Sequence, residues 1–459
     1  MKLLLVSANR EHSPYPVFPI GLAFLVPKLE EAGHQVEGLD LCFSDNPMAD
    51  LHAALERYKP DVSIISMRNV DNVAYPGVRS YVDGVKEVVT LCKKYGKTII
   101  GGSGFSIFPV QLMEIFGADY GNVGEGEDLL PELLAIVENG ELPVGLPGVI
   151  IQGEKNFRPI KRVSDIGTPD RRLFDVGLYN KKGGMANLQT KRGCPFSCTY
   201  CTYPMLEGAN IRTRPVEDIV KEIQHLVNDY GVDYIYFVDD IFNFPTEFAG
   251  GLCRKIVEEK LHVNWSAFIN PDFLPPKLLD EMLAAGCDAV EFGTEAGSPK
   301  MLKSLGKSFS VDSIINGSAL CKERGMDFAH YILFGGPGES EETILETFRL
   351  MDEVEPTAVI AMTGIRIFPN TGLHKQAILE GVIKADDSLV EPTFYISPQI
   401  ADRLCDFVTS EALKRKNWIA PGLEVNISDA MLEMIRHFPV RGPLWKLIKR
   451  MGRSRVRPV

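Results

Sequence analysis

The chain has 459 residues, a length that predicts two or three domains rather than one. Hydrophobic residues make up 45% of it and charged residues 24%, which is typical of a globular protein and argues against disorder. The formal net charge is −12, and nucleic-acid recognition needs basic surface, so the chain as a whole is not expected to bind nucleic acid.

Hydropathy and cysteine usage indicate the cellular compartment of the protein. No apolar run reaches the roughly 18 residues that a transmembrane helix needs. The opening stretch, MKLLLVSANREHSP, is predicted to be a short strand followed by polar residues rather than a signal peptide. Nine cysteines without secretory context predict a cytoplasmic protein whose thiols stay reduced and available for metal.

The first 144 residues alternate short apolar runs with helical patterns. This alternation predicts an α/β domain with a doubly wound parallel sheet of the flavodoxin-like, Rossmann type. The predicted strands are 3–6, 35–41, 62–66, 98–100 and 120–123. The predicted helices are 22–31, 48–58, 78–95, 110–116 and 129–139.

Glycine-rich segments follow several of these strands, at the ends where such sheets bind ligands. Two examples are Gly101-Gly-Ser-Gly104 and Gly124-Glu-Gly126. Glycine lets a flat ligand approach the backbone, but turns of this fold need glycine as well. Taken alone, these glycine-rich strand tips do not decide whether the sheet binds a ligand.

Residues 145–184 are rich in Pro, Gly and Arg and are predicted to be a linker. From 185 to 375 the alternation resumes, with predicted strands 186–190, 234–238, 263–268, 289–292, 328–333 and 358–367. The predicted helices are 216–230, 245–259, 275–285, 299–305, 311–324 and 340–354. Six strand–helix units predict a partial (β/α)6 barrel with its functional groups at the carboxyl ends of the strands. Residues 376–459 are predicted to form a small, mainly helical cap with a basic tail.

One short loop after the first predicted barrel strand carries Cys194, Cys198 and Cys201 in a CxxxCxxC pattern, with Gly193 and Pro195 favouring a loop. A structural zinc site needs four ligands, usually from two separated pairs, and the sequence contains no second pair. A [4Fe-4S] cluster normally takes four cysteines, so three leave one iron open to bind a small molecule. The motif therefore predicts an iron–sulfur cluster with an open iron.

This motif, with Tyr200 before its third cysteine, resembles the signature of the radical S-adenosylmethionine (SAM) enzymes. Together with Pro19-Ile-Gly21 and the glycine-rich tips ahead of it, the chain resembles the cobalamin-binding (B12-binding) radical SAM class over most of residues 1–380. The resemblance implies a [4Fe-4S] cluster, SAM and cobalamin as cofactors. In that family an electron from the cluster cleaves a C–S bond of SAM, usually giving a 5′-deoxyadenosyl radical.

The resemblance also implies a set of SAM contacts around the barrel mouth: Tyr200, Asp239, Asp240, Ser266, Asn270, Glu295, Gly335, Gly336 and Pro337. Either Asp239 or Asp240 would accept from the SAM amino group, since adjacent carboxylates on an extended segment point to opposite sides. Glu295 would accept from the ribose hydroxyls. A helix N-cap at Asp240 and a capping or ion-pair role for Glu295 are the alternatives.

The implied cobalamin contacts lie at the sheet tips: Asn9, Pro19, Gly21, Ser66, Arg68, Asn69, Asp71, Asn72, Gly101, Gly102, Ser103, Gly104, Gly124, Glu125 and Gly126. The DxHxxG segment that gives cobalt a histidine in other B12 proteins is missing, so no lower histidine ligand is expected. We predict that Arg68 or Asn69 lies beneath the cobalt, because a guanidinium cannot ligate a metal. Pairing of Arg68 with Asp71 or another carboxylate is the alternative.

The sequence does not single out a catalytic side chain, and Arg366 and His330 are the candidates. Arg366 follows the sixth predicted strand and could hold a substrate anion, the SAM carboxylate or a neighbouring acid. His330 lies on the fifth strand and either faces the mouth or belongs to the core.

The predicted function is a cobalamin-dependent radical SAM methyltransferase acting on an unactivated carbon, or on phosphorus, of a small molecule, natural-product or lipid precursor. The alternative is a radical SAM enzyme of the same fold that rearranges or cyclises its substrate, or transfers 3-amino-3-carboxypropyl from SAM, with or without cobalamin. An external flavodoxin- or ferredoxin-type electron donor is a further predicted partner. The basic tail 441–459 is predicted to be solvated, with contact to an anionic membrane surface as the alternative.

Overall fold

The computed structural model describes residues 1–153, 162–163, 165–421 and 441–448. Within these residues, no helix is both long enough and apolar enough to cross a membrane. Two sheets, each covered by helices, organise the described chain.

The first sheet has the strand order β2-β1-β3-β4-β5-β6. Its strands are β1 (Lys2–Ser7), β2 (Gln35–Asp40), β3 (Val62–Ser66), β4 (Lys97–Gly101), β5 (Tyr120–Asn122) and β6 (Val149–Ile151). All pairs are parallel except β5 with β6. The order reverses between β1 and β3, which creates the switch point where open α/β sheets bind ligands. Strand β6 lies in the stretch predicted to be a linker; three residues are too few to show an alternating pattern.

Six helices cover this sheet: α1 (Ile20–Glu31), α2 (Pro47–Tyr58), α3 (Val82–Cys92), α4 (Ser103–Ile107), α5 (Pro109–Phe116) and α6 (Leu129–Glu138). Because helices cover both faces, strand residues such as those from Leu3 to Val6 are fully buried and read as one apolar run. Helix α3 starts at Val82 rather than at 78, because a bridge between Asp71 and Ser80 keeps the preceding residues in a loop.

The second sheet is parallel and has the order β17-β14-β13-β12-β11-β10-β7. Numbered along the chain, the strands of this half are β7 (Ala186–Leu188), β8 (Lys191–Arg192), β9 (Arg212–Thr213), β10 (Tyr234–Phe237), β11 (Asn264–Ile269), β12 (Cys287–Glu295), β13 (Asp327–Phe334), β14 (Ala358–Thr363), β15 (Ile365–Arg366), β16 (Phe394–Tyr395) and β17 (Trp418–Ile419). Strands β8 and β9, and likewise β15 and β16, form separate antiparallel pairs.

The helices of this half are α7 (Val176–Gly183), α8 (Tyr203–Leu206), α9 (Val216–Tyr230), α10 (Thr246–Glu258), α11 (Pro276–Ala284), α12 (Pro299–Ser304), α13 (Val311–Glu323), α14 (Glu341–Val354), α15 (Gly372–Leu379) and α16 (Leu404–Ala412). Helices thus alternate with the sheet strands. The predicted fold class, a Rossmann-type sheet followed by a partial radical SAM barrel, is confirmed.

Two details differ from the sequence-based expectation. The sixth barrel strand, predicted as one run over 358–367, breaks at Gly364, whose φ of 68° only glycine adopts readily. The predicted helical cap includes α16 but also strand β17, which extends the barrel sheet beside β14. Residues 422–440 of the predicted cap lie outside the described residues.

The lower part of the barrel lumen is lined by small side chains. Ala289, Ala329 and Ala358 lie on three adjacent strands, are fully buried, and pack against Trp445. Barrel interiors are usually filled by bulky side chains from the strands themselves. Here the indole of Trp445 occupies the space that three alanines leave.

Residues 441–448, which we call the floor segment, close the amino-terminal end of the barrel. Its contacts join Arg441 to Asp233 (2.8 Å), the Gly442 amide to the Gly184 carbonyl oxygen (3.1 Å), Lys446 to Asp288 (2.6 Å) and Trp445 Nε1 to Glu291 Oε1 (2.8 Å). The prediction that the basic tail is solvated is therefore wrong for this segment, because its aromatic residue completes the barrel core. Residues 449–459 lie outside the described residues.

We expect Trp445→Ala to lower the free energy of unfolding by about 3–5 kcal/mol, because it leaves an indole-sized void in the lumen. Lys446→Met is the matched control, since a partly exposed ion pair contributes at most about 1 kcal/mol. Urea unfolding of the purified proteins measures both effects. Equal stabilities of the two variants would show that the indole does not fill the barrel.

Candidate active site

The side chain of Asp239 fixes the residues that follow strand β7, from which the chain continues to the three cysteines. The carboxylate of Asp239 accepts from the Thr190 amide (2.7 Å) and hydroxyl (2.5 Å), and it pairs with Lys191 Nζ at 2.8 Å. Lys191 also donates to the Phe242 carbonyl oxygen at 2.9 Å. Asp239 is therefore saturated by the protein, which leaves it no free oxygen for a ligand.

The cysteines lie on the cluster loop, residues 193–211, between β8 and β9. Backbone hydrogen bonds hold the loop: the Cys194 amide donates to Gly208 (3.0 Å), the Thr199 amide to Leu305 (2.9 Å) and the Cys201 amide to Cys198 (3.2 Å). Gly193 has a φ of 98°, and a β-carbon there would lie 2.3 Å from the Asn210 carbonyl oxygen, so only glycine fits. The main chain is thus fixed without use of the thiols.

All three thiols are free, and the donor set fits a cluster. Burial raises the pKa of Cys194 to about 11 and that of Cys201 to about 12, so these two thiols keep their protons until a metal replaces them. Among the residues that the structure describes, no three metal-binding side chains converge closely enough to share one ion. A zinc ion would need that convergence, with sulfurs about 2.3 Å away. Thiolates of an iron–sulfur cluster bind separate irons.

Asp240 is the carboxylate that faces the cysteines. Its Oδ2 is buried without a hydrogen-bond partner. Burial, and then repulsion by Glu207 and Asp239, raises the pKa of Asp240 to about 8. An unpartnered buried acceptor beside Cys194 and Cys201 suits an ammonium group, so of the two predicted aspartates only Asp240 is available for the SAM amino group.

Glu295, at the end of β12, contacts two polar side chains next to the cluster loop, those of Tyr200 and Lys307. Its Oε1 accepts from the Tyr200 hydroxyl at 2.8 Å and lies 3.5 Å from Lys307 Nζ. Lys307 is 8% exposed and lies near Cys194. Lys307 belongs to no motif in the sequence and was not predicted. A lysine whose side chain is largely buried close to the cysteines suits an anionic group.

The glycine turn after β13 is closed by its own glutamate. Glu339 accepts from the amides of both Gly335 and Gly336, and the Pro337 carbonyl oxygen accepts from the Ser304 hydroxyl at 2.7 Å. Burial raises the pKa of Glu339 to about 7. Those two amides are thus unavailable, and any SAM contact from this turn must use its other atoms.

The two weaker SAM candidates are less accessible. Asn270 uses its carbonyl oxygen for the Asp272 amide (2.9 Å) and its amide nitrogen for Ser308 (3.3 Å). Ser266 is fully buried and is aligned with Ala289, below the mouth. Neither side chain faces the cysteines as Asp240 does.

Both candidate catalytic residues are structural. Arg366 pairs with Asp71 at 2.9 Å and donates to the carbonyl oxygens of Ile367 and Leu389, so it holds the neighbouring acid rather than a substrate. His330 points away from the lumen into the core between β13 and its covering helices. Its nitrogens lie 2.6 Å from the Thr294 hydroxyl and 3.1 Å from the Ser318 hydroxyl.

The upper lumen of the barrel is lined by half-buried side chains of the central strands: Tyr236, Phe268, Tyr331, Leu333, Ile360 and Met362. We call the space that these side chains border the chamber. Glu291 forms the polar part of the floor, where it accepts from the Tyr236 hydroxyl (2.7 Å) and from Trp445 (2.8 Å). Burial raises the pKa of Glu291. The chamber therefore has mostly apolar walls.

The first sheet contributes a second site at its switch point. A cavity of about 380 Å³ lies beyond β1 and β3, lined by residues that include Asn9, Met67, Arg68, Asn69 and Tyr81. Arg68 is exposed to it, and loss of bulk water lowers the pKa of its guanidinium. None of the described residues that line the cavity is a histidine.

Other predicted cobalamin residues shape this region rather than line it. A β-carbon at Gly102 would meet the Met67 backbone and one at Gly104 the Asn69 backbone, so both glycines let the chain pack closely. The Ser103 hydroxyl donates to the Arg68 carbonyl oxygen at 2.9 Å. A β-carbon at Gly101 would lie 3.4 Å from both the side chain and the backbone oxygen of Asn122, which is tighter than most contacts but less severe.

Residues 67–81, which we call the exit loop, connect β3 to α3 and contact the barrel. Asp71 pairs with Arg366, so the alternative in which it pairs with Arg68 is not formed. Asn72 accepts from the Arg79 amide at 2.8 Å within the loop itself. The Thr363 hydroxyl donates to the Tyr75 carbonyl oxygen at 2.7 Å, which ties the exit loop to the carboxyl end of β14.

The remaining predicted positions fall into two groups. Ser66 ends β3, and Pro19 and Gly21 begin α1, where Gly21 faces open space. Gly124, Glu125 and Gly126 lie instead at the boundary with the barrel. There Glu125 accepts from Arg212 at 2.8 Å and from the Val163 amide at 2.7 Å. The sequence could not distinguish these groups, because glycine-rich turns look alike at either place.

Comparison with known proteins places the chain in a class. It matches the radical SAM superfamily over residues 188–351 and the B12 binding domain over residues 6–134. The two matches coincide with the barrel and with the first sheet. The chain therefore belongs to the cobalamin-binding radical SAM family, as the cysteine motif and the glycine-rich strand tips together predicted.

Particular relatives span most of the chain. An uncharacterized methyltransferase of Pyrococcus horikoshii is 26% identical over 83% of this chain and 84% of its own. Tryptophan 2-C-methyltransferase of Streptomyces laurentii is 24% identical over 81% of this chain and 73% of its own. The solved radical SAM methyltransferase TsrM of Kitasatospora setae, with cobalamin and a [4Fe-4S] cluster bound, is 24% identical, covers 98% of both chains and superimposes with a TM-score of 0.87.

Asp239→Asn and Asp240→Asn form a matched pair of variants. We expect the first to cost about 3–5 kcal/mol of stability, because it leaves Lys191 charged and unpaired in a buried site. The second removes an unpartnered carboxylate and is expected not to destabilise the protein. Urea unfolding measures both; equal destabilisation would show that the two carboxylates do not differ in role.

The core position of His330 predicts a pH dependence of stability. Burial lowers the pKa of His330 from 6.5 to about 3. Between these values the unfolded chain binds more protons than the folded one, so the unfolding free energy falls as pH decreases from about 6.5, by at most about 1.4 kcal/mol per unit. Above that range the contribution is constant.

Unfolding titrations at several pH values between 5 and 8 measure this slope. His330→Gln should flatten the slope below pH 6.5, whereas His262→Gln, at an exposed position, should leave it unchanged. An unchanged slope in the first variant would place His330 in contact with solvent.

Proposed function

We propose that this protein is a cobalamin-dependent radical SAM methyltransferase that acts on a small molecule, with carbon as the methyl acceptor and phosphorus as the second choice. The observation that carries the proposal is the arrangement of two sites. The exit loop ties the switch point of the first sheet to the barrel mouth through the Asp71–Arg366 pair (2.9 Å). A corrin at the first site and SAM at the second would therefore face one chamber.

The cofactors would supply reductive cleavage of SAM at the cluster and a transferable methyl group on the corrin. Cys194, Cys198 and Cys201 would hold the cluster. Asp240 would bind the SAM amino group, and Lys307 offers a cation for its carboxylate. The residues of this chain thus bind and orient the reagents.

Arg68 and Asn69, which line the switch-point cavity, would contact the corrin. A guanidinium donates hydrogen bonds but cannot ligate cobalt, so a corrin face that Arg68 contacts would lack a protein ligand. His12, in the loop between β1 and α1, has its Nε2 2.6 Å from the Cys42 carbonyl oxygen. Its ring is held against the end of β2.

The substrate would occupy the lumen chamber between the mouth and Trp445. Its walls include Phe268, Tyr331 and Ile360, so the buried part of the substrate would be apolar. TsrM of K. setae has also been solved with tryptophan and a SAM analogue bound, at 23% identity and a TM-score of 0.88. Since that likeness concerns the fold, it supports a small-molecule substrate site in this chain and not the identity of the substrate.

The reducing electron would come from an external donor of flavodoxin or ferredoxin type. All nine cysteines are free, which fits a cytoplasmic setting. The second candidate function keeps the cluster and SAM but does not methylate: rearrangement, cyclisation or 3-amino-3-carboxypropyl transfer. It is favoured if the switch-point cavity takes no corrin.

Anaerobic reconstitution with iron, sulfide and hydroxocobalamin tests the proposal. We expect about four irons per chain, one corrin, and S-adenosylhomocysteine with 5′-deoxyadenosine among the SAM products. Replacing Cys194, Cys198 and Cys201 by alanine should abolish iron binding, whereas Cys405→Ala should not. Aminocarboxypropyl transfer would instead give 5′-methylthioadenosine, and SAM turnover without a bound corrin would favour the second candidate.

A further inference from the structure

Two buried glutamates of the first domain reach the base of the cluster loop. Glu125 and Glu127 lie just after β5 and are 8% and 3% exposed. Glu125 forms a two-point pair with Arg212, at 2.8 and 2.5 Å, and Glu127 pairs with Arg192 at 2.6 Å. Bidentate arginine–carboxylate pairs fix orientation as well as distance.

Arg192 directly precedes the cluster loop, and Arg212 directly follows it. Arg192 and Arg212 are directly paired across the antiparallel strands β8 and β9. Cys194 follows Arg192 by two residues, so displacement of this strand pair displaces the first thiol. The base of the cluster loop is therefore attached to the first domain and not only to the barrel.

Further contacts restrict the position of the paired strands β8 and β9. Arg192 Nε donates to Gln189 Oε1 at 3.0 Å, and its guanidinium lies 4.9 Å from the centre of the Phe24 ring in α1. Arg212 also donates to the Glu207 carbonyl oxygen at 2.8 Å, and Glu207 accepts from the Gly193 amide at 3.0 Å. First-domain side chains thus contact the loop base by charge and by an aromatic face.

We propose that Glu127 and Glu125 are positioning residues for the iron–sulfur cluster, which set the cluster loop against the cobalamin domain through Arg192 and Arg212. This inference rests on the proposed function. It assigns the turn Gly124–Glu127 to alignment of the two cofactor domains instead of direct corrin contact. The first domain then does more than carry a reagent, because it also orients the site where SAM binds.

A double-mutant cycle separates positioning from stability. Glu127→Gln leaves Arg192 without its nearest carboxylate, while Glu127→Gln with Arg192→Gln removes both charges. Losing one partner of a buried pair is costly, whereas losing both can be nearly neutral. We therefore expect the single variant to unfold at a lower temperature than wild type and the double variant to recover most of that loss.

The cluster itself gives the second readout. In the reconstituted full-length enzyme, both variants should keep wild-type iron and corrin content. Both should show an altered electron paramagnetic resonance spectrum of the reduced cluster with SAM present, and SAM consumption at least tenfold slower. Glu132→Gln, on the exposed side of α6, is the matched control and should match wild type in every measurement.

Two results would overturn the inference. One is a wild-type spectrum and rate in Glu127→Gln; the other is a double variant that recovers both stability and spectrum, because the pair would then matter only as buried charge. If the single variant does not accumulate, the spectrum of the double variant decides alone. A wild-type protein without a SAM-dependent spectral change would instead refute the proposed function.

Discussion

A single buried carboxylate fixes the place from which the cluster loop departs. Asp239 joins the end of β10 to the residues that follow β7, and its charge is matched by Lys191 inside the protein. A pair of this kind keeps its geometry because any other arrangement would leave a charge unpaired in a medium of low polarity. The next residue, Asp240, is thereby turned toward the cysteines. The contacts of Asp239 thus position both the loop that carries the three cysteines and the acceptor beside it.

The two domains meet through contacts at opposite sides of the prospective chamber. On one side Asp71 of the exit loop pairs with Arg366; on the other Glu125 and Glu127 pair with the base of the cluster loop. All of these charges are largely buried, so solvent and salt screen them weakly. A domain interface built this way favours one relative orientation, which suits a reaction whose reagents come from both domains.

Local pattern was enough to predict both folds, because strand alternation is a property of neighbouring residues. The cluster ligands stay a prediction from the cysteine spacing. The roles of the polar residues could not be predicted in this way, because they depend on partners that are distant in the sequence. The sequence left open whether Arg366 binds an anion or a neighbouring acid and whether His330 faces the mouth or the core. Asp71 beside Arg366 and the two hydroxyl partners of His330 decide both questions. Lys307 and Trp445 carried no recognisable motif, since their importance comes only from what surrounds them.

The alanine layer in the barrel has a consequence for biosynthesis. A ribosome delivers the cysteines of the cluster loop long before it delivers Trp445, so during translation the emerging barrel contains a gap that no earlier residue fills. A nascent barrel in that state has weaker cohesion than the finished one. Final consolidation of the cofactor-binding half therefore waits until the floor segment has left the exit tunnel.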